Sequence, residues 1–111
     1  MRNMSFSATT EQIRAGTKTV TRRLGWTFLK PGDVVMACVK CQGLKKGEAV
    51  EKIRPLRIVK VSREKLQRIP KNDLALEGFS DMSKWGFIDM FSKMNKCERW
   101  DEVNRIEFEY L

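Results

Sequence analysis

The stretch from Gly16 to Arg23 concentrates an unusual set of reactive groups. It reads Gly-Thr-Lys-Thr-Val-Thr-Arg-Arg, and so places one primary amine, three hydroxyls and two guanidinium groups within eight residues. A lysine deprotonated by burial or by neighbouring cations can act as a base toward a hydroxyl, which then becomes a nucleophile. A nearby guanidinium can hold the oxyanion that forms when such a nucleophile attacks a carbonyl. The stretch therefore has the groups that amide hydrolysis needs.

The threonines that alternate around Val20 are typical of a half-buried extended segment. In an extended chain Thr19 and Thr21 point to one face, and Lys18 points to the other. A bend at Thr19 or Val20 is therefore needed to bring Lys18 and Thr21 together.

The histidine and cysteine content excludes several kinds of site. The sequence has no histidine, which removes every His-based triad and the common zinc hydrolase sites. Cys38 and Cys41 have the spacing of a metal knuckle, but no second cysteine pair completes four ligands. We expect no metal and no cofactor. The odd third cysteine, Cys97, favours free thiols in a reducing compartment.

Length and charge narrow the class of protein. A chain of 111 residues has the size of one domain, so we expect a single domain over 1–111. It carries 22 Lys and Arg against 14 Asp and Glu, a net charge of +8. That balance favours phosphate-bearing partners, or serves solubility alone. No apolar run approaches the ~20 residues of a membrane span, and no apolar signal core is present, so we expect a cytoplasmic protein.

Apolar periodicity predicts the strands that hold this stretch. Besides the extended motif, strands are predicted over Asn3–Ser7, Val34–Cys41, Ile53–Ser62 and Arg105–Tyr110. The apolar phase changes between Ile58 and Val59, which indicates a β-bulge. Glycines and lysines predict an exposed loop over Gln42–Glu51.

Helix signals alternate with these strands. Thr9 and Gln12 fit a capping box for a short helix that ends at Gly16. Further helical segments are predicted over Arg63–Ile69, Leu74–Glu77 and Ser83–Lys93. The pattern predicts an α+β fold, with a mainly antiparallel, barrel-like sheet of about five or six strands and short flanking helices.

Three motifs resemble a known family. They are Ile13-x-x-Gly16-x-Lys18-Thr19-x-Thr21-x-Arg23, Lys30-Pro31-Gly32-Asp33-Val34 and a closing Ile106-x-Phe108. Together they resemble the ASCH domain, a small relative of the PUA fold, over nearly the whole chain. Their spacing is closest to the compact bacterial amidohydrolases that deacylate N4-acetylcytidine. The chain departs from that pattern by a longer Gln42–Glu51 loop and by Arg22 beside Arg23.

The resemblance implies a PUA-like fold and a set of catalytic residues. In that subfamily a Lys and a Thr act with a distant Glu, and the matching positions are Lys18, Thr21 and Glu77. By this likeness Thr21 attacks the acyl carbon after giving its proton to Lys18. Glu77 then donates a proton to the departing cytosine. The implied partner is a small nucleoside substrate.

Four more residues are candidate substrate contacts. Arg23, or backbone amides near it, would hold the oxyanion, and Arg22 lies beside it. Trp26 or Phe79 would stack on the base. Each residue also has a plainer interpretation: the arginines bind RNA, and the aromatic rings fill the core.

The catalytic candidates have plainer interpretations too. A lysine in a charged loop is usually solvated, threonines favour strands, and Glu77 can simply end a helix. The alternative function is a non-catalytic RNA-binding module of PUA type, or a weak ribonuclease. A closed pocket around Lys18, Thr21 and Glu77 favours the enzyme, whereas an open basic groove favours RNA. The oligomeric state stays open.

Overall fold

One five-stranded sheet organises the fold. The structure is a computed structural model that describes residues 1–111. Its strands are β1 (Arg2–Ser5), β2 (Val20–Arg23), β3 (Val34–Cys38), β4 (Lys52–Lys65) and β5 (Glu102–Tyr110). They lie in the order β1-β3-β4-β5-β2, with β1 and β3 parallel and all other neighbours antiparallel.

Three short helices and one 3-10 turn accompany the sheet. The helices are α1 (Thr10–Ala15), α2 (Asp73–Leu76) and α3 (Lys84–Asn95), and the 3-10 turn spans Leu66–Arg68. The predicted α+β class, with a mainly antiparallel sheet of five strands, is confirmed. No helix combines the length and the apolar composition of a membrane span.

β4 is longer than its sequence predicts. The predicted bulge is confirmed, because the register with β5 shifts between Ile58 and Lys60. The helix predicted over Arg63–Ile69 is wrong in its first half. Pairing with β5 continues as far as Lys65, opposite Glu102, and only the 3-10 turn follows. Long-range strand pairing therefore overrides the local helix signal.

The start of α1 differs from the predicted capping box. The Thr9 side chain makes no capping hydrogen bond. The Gln12 side chain instead reaches the loop after α2, where its Nε2 donates to the carbonyl of Gly78 at 2.9 Å. The predicted end of the helix is confirmed, because Gly16 has a φ of 75° and caps the C-terminus in the left-handed conformation.

Two apolar clusters fill the interior. The first packs β1, α1 and the sheet together and consists of Met4, Phe6, Ile13, Leu29, Val35, Ala37, Leu56, Ile58, Ile106 and Phe108. The second joins α2 and α3 to the ends of β4 and β5 and consists of Leu66, Ile69, Leu74, Phe87, Ile88, Phe91 and Val103. Most of the buried polar residues come from the Lys18–Arg22 stretch and from α2 with its C-cap.

Candidate active site

Lys18 is a buried lysine held between α2 and β5. Its side chain is only 3% exposed, and Nζ donates to Glu77 Oε1 at 3.0 Å and to the Glu77 carbonyl at 2.5 Å. The carbonyl of Lys18 accepts a hydrogen bond from the Tyr110 hydroxyl at 2.5 Å. Both its side chain and its backbone are therefore fixed by residues distant in sequence.

Thr19 marks the change of direction between Lys18 and strand β2. Its amide donates to the Leu76 carbonyl of α2 at 2.9 Å, and its carbonyl accepts from the Phe108 amide of β5 at 3.0 Å. Regular pairing of β2 begins one residue later, at Val20. Lys18 and Thr21 consequently line the same cavity.

Glu77 lies at the C-cap of α2 and accepts hydrogen bonds from two cations. Its Oε1 accepts from Lys18, and its Oε2 accepts from Arg22 Nη1 at 3.0 Å. Both carboxyl oxygens of Glu77 are therefore held by basic side chains.

Arg22 is a fully buried arginine that contacts three carboxylates. Its Nε donates to Glu64 at 2.7 Å, Nη1 donates to Glu77, and Nη2 donates to Asp73 at 2.5 Å. These bonds occupy all three nitrogens of the guanidinium. Arg22 therefore organises the carboxylates of the site and does not present its charge to solvent.

Arg23 binds the hydroxyl of Thr21. Its Nε donates to Thr21 Oγ1 at 3.0 Å, and its Nη2 donates to the Ser5 carbonyl at 2.6 Å. The guanidinium also lies 4.7 Å from the centre of the Phe6 ring. Because Oγ1 is the acceptor in this bond, the hydroxyl proton of Thr21 stays free to be donated elsewhere. No direct hydrogen bond joins Lys18 to Thr21, and both side chains face the same cavity.

The pKa values of these groups follow from burial and from their neighbours. Burial lowers the pKa of Lys18, and the charge and hydrogen bond of Glu77 act in the opposite direction, while Arg23 and Arg22 lower it further. Burial also lowers the pKa of Arg23, to about 10. In Arg22, the effect of burial is outweighed by Asp73, Glu77 and Glu64, so its pKa is raised. Both arginines stay charged at neutral pH, and Lys18 is the cation of the site suited to act as a base.

The Lys18 cavity is the concave space that these side chains share. It has a volume of about 190 Å³. Its lining includes the polar residues Lys18, Thr21, Arg22, Arg23 and Glu77 and the apolar residues Phe6, Phe79, Phe87, Met90, Phe91 and Met94. Charged, aromatic and thioether groups therefore share one cavity.

The two predicted aromatic contacts separate in the structure. Phe79 lines the Lys18 cavity, with its ring centre 5.7 Å from Lys18 Nζ. Trp26 is not part of the lining, and its ring packs against Phe28, with 5.4 Å between the ring centres. The structure thus brings together Lys18, Thr21, Glu77, both arginines and Phe79, and leaves Trp26 apart.

Sequence reasoning missed two parts of the site. In the sequence, Phe87, Met90, Phe91 and Met94 recur at the helical spacing typical of a core face, yet all four also line the cavity. Asp73 precedes the predicted helix at a position typical of a helix cap, yet it is buried against Arg22. Its signal was present in the sequence, because Asp73 precedes Glu77 by one helical turn.

The cysteines and carboxylates form no metal-binding group. No set of three or more His, Cys, Asp and Glu side chains is arranged to hold a metal ion. The three cysteines are free. Burial, followed by the influence of Cys41, raises the pKa of Cys38 to about 11, so this thiol stays protonated.

Two solved structures have a similar architecture. A crystal structure of an ASCH domain from Lactobacillus crispatus superposes with a TM-score of 0.68 and 17% identity, covering 98% of this chain and 78% of that one. The chain has the fold of an ASCH domain. A crystal structure of a protein from Enterococcus faecalis, of the family DUF984, gives a TM-score of 0.67 and 12% identity, covering 99% of this chain and 79% of that one.

This likeness confirms the PUA-like part of the predicted fold. No protein-family model matches the sequence, and no curated protein matches it either. With identities of 12% and 17%, the ASCH likeness establishes the architecture. The chemistry has to be argued from the Lys18 cavity itself.

Proposed function

We propose that this protein is a metal-independent amidohydrolase that cleaves the N4-acyl amide of N4-acetylcytidine and related N4-acylated cytosine nucleosides. The products are cytidine and a carboxylate. One observation carries the proposal: Lys18, Thr21 and Glu77 line a single cavity, although 59 positions separate Lys18 from Glu77. An amine, a hydroxyl and a carboxyl in one partly apolar cavity supply a base, a nucleophile and a proton donor.

The cavity dimensions fit an acylated base. Its volume of about 190 Å³ is below the roughly 300 Å³ at the lower end for drug-sized ligands. A space of this volume suits the base and its acyl group, and the ribose would extend toward solvent. The ring of Phe79 offers an aromatic face to a planar base.

The surroundings of Lys18 favour its neutral form. Its side chain is 3% exposed, and its carboxylate partner, Glu77, also binds Arg22. Burial penalises the charged amine, and the positive charges of Arg23 and Arg22 add to this effect. These effects outweigh the opposing influence of Glu77, so the pKa of Lys18 is lowered.

Acyl transfer then proceeds from Thr21. The neutral amine of Lys18 takes the hydroxyl proton, and Oγ1 attacks the acyl carbon to give a tetrahedral oxyanion. The bond from Arg23 Nε to Oγ1 places a positive charge beside the developing alkoxide. The Arg23 guanidinium, which lines the cavity, also stabilises the oxyanion.

The leaving cytosine needs a proton at the nitrogen of the broken bond. Lys18 holds the proton taken from Thr21, and a 3.0 Å hydrogen bond joins it to Glu77. The proton passes through Glu77 to the cytosine as the C–N bond breaks. Water then attacks the acyl-Thr21 ester while the Lys18 amine takes one of its protons, and this proton returns to Thr21 Oγ1 as the ester bond breaks. The carboxylic acid that leaves loses its own proton to solvent and becomes the carboxylate.

The burial of the candidate side chains favours an enzyme over the RNA-binding alternative. Lys18, Thr21 and Glu77 are each less than 5% exposed, and the guanidinium nitrogens of Arg22 are bound to carboxylates. A basic groove for RNA would leave such cations facing solvent. Buried and paired polar side chains are instead expected around a small substrate.

Two variants of Thr21 test the mechanism. Thr21→Ala removes the attacking oxygen, and we expect it to abolish conversion of N4-acetylcytidine to cytidine. Thr21→Ser keeps a hydroxyl and should retain a measurable fraction of the rate, lowered by the freer rotation of an unbranched side chain. Chromatography of the products gives both rates. A Thr21→Ala variant with appreciable turnover would remove Thr21 as the nucleophile, and Thr19→Ser is the matched control.

A further inference from the structure

Asp73 is a buried carboxylate that the proposed chemistry does not use. It is the first residue of α2 and is only 5% exposed. Its Oδ2 accepts from Arg22 Nη2 at 2.5 Å and from Arg105 Nε at 2.8 Å, and its Oδ1 accepts from Arg105 Nη2 at 3.4 Å. A buried carboxylate with two guanidinium partners requires an explanation, because its desolvation is costly.

The sheet register explains why a carboxylate is needed here. Arg22 of β2 and Arg105 of β5 are direct cross-strand partners. Like charges at opposite positions of an antiparallel pair repel each other. Asp73 bonds to both guanidinium groups and so compensates this repulsion.

The same guanidinium also fixes Glu77. Arg22 uses Nη2 for Asp73 and Nη1 for Glu77, so one planar group binds two carboxylates separated by one turn. The backbone completes this arrangement, because the Glu77 amide donates to the Asp73 carbonyl at 2.8 Å. With Oε2 held by Arg22, Glu77 keeps Oε1 directed at Lys18.

We propose that Asp73 is a positioning residue of the active site, which holds Arg22 so that Arg22 holds Glu77 against Lys18. This inference rests on the proposed amide hydrolysis, in which the Lys18 and Glu77 pair moves the proton. Without the Asp73 charge, Arg22 and Arg105 repel each other, so Arg22 can shift toward Glu64, the more exposed of its two remaining carboxylate partners, and away from Glu77. Glu77 then loses its fixed orientation.

The charges around Lys18 allow the role of Asp73 to be tested through the pKa of Lys18. Glu77 contacts the amine, Arg22 and Arg23 are the nearest cations, and Asp73 and Glu64 neutralise Arg22. Removing Asp73 leaves an additional uncompensated positive charge near Lys18. Removing Arg105 instead leaves more of the Asp73 charge uncompensated. The two changes should therefore move the pKa of Lys18 in opposite directions.

The test compares Asp73→Asn, Arg105→Gln and the control Asp89→Asn, which makes the same chemical change on the exposed face of α3. The pKa of Lys18 is measured from the ¹⁵N signal of Nζ, assigned by its absence in Lys18→Arg. We expect the pKa of Lys18 to be lower by about 0.5 or more in Asp73→Asn, higher in Arg105→Gln and unchanged in Asp89→Asn.

With N4-acetylcytidine as substrate, Asp73→Asn should lower kcat about tenfold or more and change KM by less than about threefold.

The titration and the kinetics distinguish failure of the positioning role from failure of the proposed function. A folded Asp73→Asn variant with unchanged Lys18 pKa and unchanged kcat overturns the positioning role. If the wild type does not hydrolyse N4-acetylcytidine, the proposed function fails, and the ¹⁵N titration still decides whether Asp73 controls Lys18. If Asp73→Asn does not fold, Arg105→Gln decides, because its side chain is partly exposed, and a Lys18 pKa that does not rise contradicts the inference.

Discussion

At the scale of single residues, the proposed hydrolysis depends on the protonation state of Lys18. Burial lowers the pKa of this amine below its ordinary value of 10.5. A base must be neutral to accept a proton, so kcat/KM should rise with pH through the folded-state pKa of Lys18 and reach a plateau below pH 10.5.

The free energy of unfolding should depend on pH in the same direction. The unfolded chain binds the extra proton in the window between the lowered pKa and 10.5, so the Lys18 contribution to stability increases with pH there.

The variant Lys18→Arg separates charge from basicity. Arginine keeps the positive charge but does not deprotonate in proteins, so turnover of N4-acetylcytidine should fall by about 10²–10⁴. Steady-state rates and thermal melting of the folded variant provide the measurement. Lys30→Arg, at an exposed lysine, is the control and should be neutral. Near wild-type turnover in a folded Lys18→Arg variant would remove Lys18 from the mechanism.

At the scale of secondary-structure elements, the contact between α1 and the loop after α2 holds Glu77 in place. Gly78 follows Glu77 directly and has a φ of 92°. A Cβ at this position would lie 3.1 Å from Gln12 Cγ, although Gln12 has to stay close to donate to the Gly78 carbonyl. Packing of α1 is therefore coupled to the position of Glu77, the carboxyl to which we assign proton transfer.

Replacing Gly78 tests this coupling. Gly78→Ala imposes the cost of a left-handed alanine, about 1–2 kcal/mol, and in addition displaces Gln12. Gly32→Ala is the matched control, because Gly32 has a φ of 95° with no atom within 4 Å of the added Cβ. Urea denaturation should show the larger loss of stability in Gly78→Ala, and only this variant should lose activity. Equal effects of the two variants on activity would contradict a role for this contact.

Local sequence signals predicted which helices and strands exist better than they predicted the residues at which these begin and end. The bulge in β4, the stop of α1 at Gly16 and helix α3 each have a local cause: a phase change, a left-handed glycine and an apolar stripe. The end of β4 was not predictable in this way, because its last residues pair with a strand almost 40 positions away. Long-range pairing leaves no local mark in a charged segment.

The same distinction holds for the residues of the site. Lys18, Thr21 and Arg23 could be predicted because they lie within one motif. The role of Arg22 was not accessible, since its carboxylate partners come from β4 and from α2 with its C-cap. For the same reason, periodicity assigned Met90 to the core and could not show that α3 passes beside the Lys18 cavity.

At the scale of the whole molecule, the chain carries a net charge of +8, whereas the cations Lys18 and Arg22 at the site are paired with carboxylates. Many exposed cations have acidic neighbours across strands or helix turns, such as Arg57 with Glu109 and Arg63 with Glu102. Exposed pairs of this kind contribute little to stability. The buried cluster around Arg22 differs, because removing one partner leaves an uncompensated charge in the interior. Substitution of a charged residue should therefore affect stability more at the Lys18 cavity than at the exposed ion pairs.

Product analysis with N4-acetylcytidine is the most direct test of amide hydrolysis at this site. Purified protein dialysed against a chelator is incubated with the nucleoside, and the cytidine and acetate formed are quantified. In a parallel incubation, an unstructured RNA oligonucleotide is checked for cleavage. Because none of the proposed steps uses a metal and no group of ligating side chains is arranged to hold one, we expect cytidine and acetate in equal amounts, unaffected by the chelator, and intact RNA. Absence of cytidine, or activity that is lost to the chelator and restored by zinc, would contradict the proposal.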